Sequence, residues 1–235
     1  MTLKQRVFNE YFQYFSRIQL LTEEVIHVEK YTELLYHLLT DSQEKILNGT
    51  LDIDKLQIIK DILLPYKIEI EVTDDYAPNG GIIKGKCNKE NITIYAGDTI
   101  FNFLQNKEKL KICIRVMVNL ISHELVHRGQ YYLRKSDFIS FYAYENNIDK
   151  KYYSDPQEIM AYAWMGIENM RSHNISDETI LKKIQTDTIY AAEIGFAHIY
   201  ISDLKELDIK AYNQFLKYMY MYLKNPVKYD LKIKI

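Results

Sequence analysis

An almost continuously apolar run at residues 112–121 constrains the fold of this chain more than any other feature. A helix that is apolar on all sides has to be buried, and the run lies within a predicted helix at about 109–134. Directly after the run, in the letters SHELVH, come three polar groups: His123, Glu124 and His127. A buried helix avoids such groups unless they have partners or a chemical role.

The spacing of these three residues is that of a metal site. On a helix, His123 and His127 lie on one face, one turn apart, so both rings can reach a metal at about 2.0–2.1 Å. Glu124 is close enough to hold a metal-bound water without being a ligand. In this H-E-x-x-H pattern the metal is Zn²⁺ and the Glu is the general base, which predicts these roles here. The alternative is a helix with two hydrogen-bonded histidines and an exposed Glu.

A third ligand has to come from elsewhere in the chain. The extended metzincin pattern fails, because its Gly and His positions hold Gln130 and Leu133. A downstream carboxylate is therefore expected, and Glu158 is the candidate, in a helix that begins within SDPQEIMAYAW. The sequence thus predicts a zinc site formed by two His and one Glu.

The position of Glu158 also allows a structural role. Asp155 is predicted as the N-cap and Pro156 as the first helical residue, so Glu158 could complete a capping box by bonding back to the Asp155 N–H. Rival third ligands are Asp155, His173 and His198. His173 lies in a polar turn and is expected at the surface, whereas His198 lies in an apolar segment typical of a core histidine.

A peptidase also needs a donor for the oxyanion and a strand that holds the peptide. Tyr162, one turn after Glu158, could donate its hydroxyl to the developing charge, although packing is the commoner use of a tyrosine in a chain with 21 of them. The segment NITIYAG, residues 91–97, could be an edge strand on which an extended peptide lies, or an ordinary strand of the sheet.

The remaining pattern predicts an α+β protein that is predominantly helical, with a small antiparallel sheet before the metal-binding helix. The alternation of YKIEIEV and the turn letters that follow it predict three short strands, at 66–72, 81–86 and 91–97. Two further helices are predicted at about 177–200 and 209–223. No linker is visible, so we expect one compact domain over 1–235, with N-terminal helices at 1–65, a core at 66–170 and C-terminal helices at 171–235.

In SHELVHRGQ and YYSDPQEIMAYAW the chain resembles the zincin metallopeptidases, specifically the gluzincin-like group, over about residues 66–170. The second segment is similar to uncharacterised zincin-like proteins that bacteriophages often encode. The resemblance implies a zincin-like fold, a peptide substrate, and zinc with the ligands and base His123, His127, Glu158 and Glu124.

The chain departs from thermolysin-type enzymes at one place. Those enzymes carry an Asp four residues after the ligand Glu, and Tyr162 stands there in this chain. The partner that orients the first His is therefore open, with Asp155 as a possible substitute.

Composition and charge limit the cellular compartments and the binding partners that can be expected. The formal net charge is -2, so there is no electrostatic reason to expect a nucleic-acid partner. With no secretory signal and no apolar run long enough for a bilayer, a cytoplasmic protein is expected, in the virion or host cytoplasm if a phage encodes it. The expected partner is a protein or peptide substrate, and no pattern indicates the oligomeric state.

Two other functions compete with the peptidase. One is a structural or partner-binding protein, possibly viral, that keeps the zincin fold and uses its metal for stability. Glu124 disfavours it, because a structural zinc site has no use for a base. The other is a protease that acts on DNA-bound proteins, disfavoured by the near-neutral charge and by the lack of a Cys₄ zinc ribbon.

Overall fold

The computed structural model describes residues 27–46, 55–73, 82–88, 90–97, 100–133 and 150–224. The predicted N- and C-terminal helices therefore lie partly outside the described residues. The described part divides into two compact units, 27–125 and 126–224, and the boundary falls inside one long helix. The single domain expected over 1–235 stays a prediction.

Helices dominate the described residues, and one three-stranded sheet accompanies them, which confirms the predicted α+β class. None of the described helices has the length and apolar content needed to cross a membrane. The first unit contains helices α1 to α3 and most of α4, with the sheet between α2 and α3 in chain order. The bounds are α1 Val28–Ile46, α2 Lys55–Leu63, β1 Ile68–Val72, β2 Ile82–Cys87, β3 Ile92–Ala96, α3 Ile100–Gln105 and α4 Lys107–Leu133.

The sheet is mixed, so the prediction of an antiparallel sheet is wrong. The strand order is β1-β3-β2, with β3 parallel to β1 and antiparallel to β2. The expectation that residues 91–97 form an edge strand is wrong for the same reason, because β3 pairs on both sides. Its alternate residues Ile92, Ile94 and Ala96 are fully buried, as the central strand of a sheet requires.

The core of the first unit explains the apolar run of α4. Leu110, Ile114 and Met117 are buried with the inward face of the sheet, and each large aliphatic chain so placed contributes roughly 1.5–3 kcal/mol. The more polar side of α4 forms ion pairs with α1. There Arg115 bonds Glu29 at 3.0 Å, and Lys111 and Glu33 form a second ion pair.

The second unit is helical throughout its described regular elements. Its longest helices, α6 and α10, enclose a core in which Trp164 lies 5.0 Å from Tyr222 and Tyr200 stacks on Phe215 at 4.5 Å between ring centroids. The bounds are α5 Lys150–Tyr153, α6 Pro156–Ser172, α7 Asp177–Thr186, α8 Ile199–Ser202, α9 Leu204–Leu207 and α10 Ile209–Lys224.

The prediction of one long helix at 177–200 is wrong for the second half of that range. Helix α7 ends at Thr186, where Asp187 adopts a left-handed conformation with φ of 53° and caps the helix end. Two 3₁₀ turns follow, Ala191–Glu193 and Gly195–His198, and Gly195 also has a positive φ of 55°. A left-handed residue ends an α-helix. The apolar residues after Asp187 are therefore buried in 3₁₀ turns and not in a continued α-helix.

Candidate metal centre

Helix α4 places the two histidines in a buried environment on one face. His123 and His127 are 4 % and 5 % exposed, and Glu124 between them is 6 % exposed. Both rings belong to one continuous helix, since α4 extends from Lys107 to Leu133. Burial of three polar side chains in one helical turn needs compensation by partners or by a ligand.

Helix α6 carries Glu158 to the same place. The Glu158 Oε1 lies 3.4 Å from Nε2 of His127, with the Glu158 side chain 13 % exposed. One donor atom from each of His123, His127 and Glu158 fits within 4.8 Å of the others, and no second cluster of this kind occurs in the part of the chain that the structure describes. The residues predicted as ligands are therefore brought together.

The separation of His127 and Glu158 suits a shared metal. Two ligands about 2.0–2.2 Å from a tetrahedral ion stand about 3.3–3.6 Å apart. A direct charge-assisted hydrogen bond would instead be about 2.7–2.9 Å long, so the observed 3.4 Å is closer to the ligand–ligand separation. Two imidazole nitrogens and one carboxylate oxygen are also a donor set that zinc accepts in catalytic sites. Zinc itself stays a prediction.

The helix cap does not use Glu158. The Asp155 side chain accepts a hydrogen bond from the N–H of Gln157 at 2.8 Å, which confirms Asp155 as the predicted N-cap. A capping box would need the Asp155 N–H for the Glu158 carboxylate. That N–H instead donates to the carbonyl of Tyr152 at 3.0 Å. The Glu158 carboxylate is thus placed beside His127, and not at the cap.

Gln130 is a site residue that sequence reasoning missed. It is fully buried, and its Oε1 lies 2.9 Å from Nδ1 of His127. Its Nε2 donates to the carbonyl of Gln157 at 3.2 Å, which identifies the amide nitrogen and leaves Oε1 as the acceptor. Nδ1 of His127 therefore carries a proton and donates it to Gln130, and Nε2 is the ring nitrogen that faces Glu158. The available signal was the spacing, since Gln130 follows His127 by one helical turn.

Tyrosines surround Glu158. The Tyr162 ring centroid lies 5.7 Å from that of Tyr153 and 5.7 Å from that of Tyr200, so Tyr162 belongs to an aromatic cluster in the second unit. Burial first, and then the neighbouring Tyr162 and Glu158, raise the pKa values of Tyr152 and Tyr200. These two hydroxyls therefore stay protonated at neutral pH. The oxyanion role of Tyr162 stays a prediction.

The rival ligands are placed elsewhere. His173 is exposed at the end of α6, as predicted, with Nδ1 2.7 Å from the Asn169 carbonyl. His198 is also exposed, so its prediction as a core histidine is wrong. It lies in a 3₁₀ turn with Nδ1 3.0 Å from the Gly195 carbonyl, because the helix expected there is broken.

Glu124 extends from α4 toward the sheet. Its side chain lies against the backbone of β2 at Gly85. Burial, and after it the charge of Glu124, raise the pKa of the Cys87 thiol on the same strand, which keeps that thiol neutral. The residue predicted as the base is thus buried beside β2, next in sequence to a candidate ligand.

Comparison of the chain with known protein families, with curated proteins and with solved structures finds no match. The resemblance to zincins therefore rests on the two sequence segments alone. A proposed function therefore has to be based on the arrangement of the described residues.

Proposed function

We propose that this protein is a zinc-dependent metallopeptidase that hydrolyses peptide bonds, with His123, His127 and Glu158 as the zinc ligands. The observation that carries the proposal is the convergence of these three donor groups within 4.8 Å, with buried Glu124 next to the first of them. Two His, one carboxylate and an adjacent Glu form the donor set and base of zinc hydrolases.

Bound Zn²⁺ would lower the pKa of a water ligand and polarise the substrate carbonyl. The chain's own groups supply the rest. Gln130 holds the proton of His127 on Nδ1, which keeps Nε2 available as a ligand atom. Glu124 accepts the proton of the attacking water on its carboxylate and then delivers it to the leaving amine.

The tyrosines around Glu158 supply neutral hydroxyl donors. We assign Tyr162 to the oxyanion, as the sequence suggests, since its position one turn after Glu158 keeps it near that carboxylate. The raised pKa of Tyr152 means that a second hydroxyl in the cluster also remains a donor above neutral pH.

An extended peptide would pair with β2, and not with β3. Among the described strands, β2 pairs on one side only, with β3, so its other edge can accept a further strand. Glu124 lies against this strand at Gly85, which would bring a peptide bond on the β2 edge near the proposed base.

One variant tests the peptidase directly. Glu124→Gln is expected to keep stoichiometric zinc and to lose cleavage of an unfolded protein substrate such as casein, because the amide cannot accept the proton. His198→Ala, at an exposed position outside the cluster, is the control and should match the wild-type protein in both properties.

The outcomes separate the peptidase from its main competitor. Equal cleavage by wild-type protein and Glu124→Gln would remove Glu124 from the mechanism. Stoichiometric zinc together with no cleavage by the wild-type protein would favour a structural or partner-binding protein whose metal serves stability.

A further inference from the structure

Position 85 in β2 has no room for a side chain. A Cβ there would lie 2.6 Å from Cγ and 2.8 Å from Cδ of Glu124. Cβ atoms essentially never approach other heavy atoms to within 3.0 Å. Because Cγ lies in the middle of the Glu124 side chain, rotation of the carboxylate alone cannot relieve the overlap.

The surroundings of both residues are largely buried. Glu124 is 6 % exposed and lies between buried His123 and Leu125 on α4. Gly85 is opposite Ile94 in the ladder between β2 and β3, and Ile94 is fully buried. In a closely packed interior, an added methyl group forces one of these elements to shift.

Backbone conformation does not account for the glycine. Gly195 is the glycine with a positive φ among the described residues, so Gly85 has a backbone that other residues adopt. Glycine inside a strand weakens the strand and often marks close approach by another group. At Gly85 the approaching group is the Glu124 side chain.

A second residue on the same face of β2 is also close enough to Glu124 to be affected by its charge. Cys87, two residues after Gly85, projects to that face because side chains alternate along a strand. The charge of Glu124 contributes to the raised pKa of the Cys87 thiol, after burial. The Glu124 carboxylate thus lies along this face of the strand.

We propose that Gly85 is a positioning residue for Glu124, and that the missing side chain at this place lets the carboxylate lie against β2. The role of Glu124 as the base rests on the proposed function. The steric coupling between Gly85 and Glu124 does not depend on it, and each part has its own measurement.

A double-mutant cycle in the full chain measures the coupling. Urea unfolding is compared for the wild-type protein, Gly85→Ala, Glu124→Ala and the double variant. Gly85→Ala should raise the unfolding equilibrium constant at least about tenfold when Glu124 is present, and less than about threefold in the Glu124→Ala background. Equal effects in both backgrounds, including failure of both Gly85→Ala and the double variant to fold, would contradict the coupling.

A kinetic comparison tests the positioning role. Gly85→Ala should keep wild-type zinc content and KM within about threefold, while kcat falls about a hundredfold, because the base is misplaced. An unchanged kcat would overturn this role.

One control accompanies both measurements. Gly166→Ala makes the same chemical change where a Cβ meets ordinary contacts of 3.5–3.6 Å, and it should not change kcat. If the wild-type protein cleaves nothing, the proposed function and the base-positioning role fail together, and the cycle still decides whether Gly85 makes room for Glu124.

Discussion

The fully buried Gln130 accepts a hydrogen bond from Nδ1 of His127, with 2.9 Å between Gln130 Oε1 and that nitrogen. The same side chain donates to the carbonyl of Gln157, the residue before Glu158. One amide thus orients a ligand on α4 and contacts the first turn of α6. Such partners fix the tautomer and the orientation of a metal-binding imidazole.

Replacement of Gln130 is expected to weaken zinc binding while the ligands remain in place. Gln130→Leu keeps a side chain of similar volume but removes the acceptor for Nδ1, so zinc affinity should fall about 10- to 100-fold. Competition with a zinc chelator measures the affinity. Gln130→Glu retains an acceptor and should lose less zinc affinity than Gln130→Leu. Wild-type zinc affinity in Gln130→Leu would contradict the role of the amide.

Arg171 is expected to be a major contributor to the stability of the second unit. Its Nη1 lies 2.5 Å from Oε1 of Glu168, which is 1 % exposed. Arg171→Met would remove the cation that pairs with this buried carboxylate, at a cost of about 3 kcal/mol in the free energy of unfolding. Asp177, which also bonds Arg171, is 50 % exposed, so Asp177→Asn should cost less than about 1 kcal/mol. Equal losses in urea unfolding would contradict this difference.

Stability is expected to fall at alkaline pH because of Tyr222. Burial, with a smaller contribution from Tyr218, raises its pKa well above the ordinary value, and its hydroxyl donates to the Met160 carbonyl at 3.2 Å. The folded state therefore holds this proton more tightly than the unfolded state does. The contribution is complete below the unfolded pKa of about 10 and decreases above it by about 1.4 kcal/mol per pH unit.

The pH dependence can be assigned by substitution. Urea unfolding between about pH 8 and 11 should show a shallower decline in Tyr222→Phe than in the wild-type protein. Tyr190→Phe, at a position that is 64 % exposed, is the control and should leave the slope unchanged. A Tyr222→Phe protein with the wild-type slope would contradict the assignment.

Local patterns predicted the helical parts of the candidate site. The apolar run of α4 and the spacing of His123 and His127 depend on one helix, and Asp155 with Pro156 marks a helix start by local chemistry. These features need no information about distant parts of the chain. The grouping of Glu158 with the two histidines was inferred from residue type, and the described structure places the three groups close together.

Features that depend on tertiary contacts were predicted poorly. The position of β3 between β1 and β2 is set by packing, and the turn letters before β2 indicate only that a strand ends. Asp187 alone does not mark a helix end, since Asp is favoured at helix N-caps as well as in turns. Gln130 and Gly85 acquire their roles from neighbours on other elements, α6 and α4 respectively, which one sequence does not show.

The zinc content of purified protein tests the central claim most directly. Elemental analysis should find one zinc per chain in the wild-type protein and in His198→Ala, and much less in His123→Ala, His127→Ala and Glu158→Ala. These three variants each remove one donor of the cluster, whereas His198 lies outside it. A wild-type protein without zinc, or ligand variants that retain as much zinc as the wild type, would contradict the account.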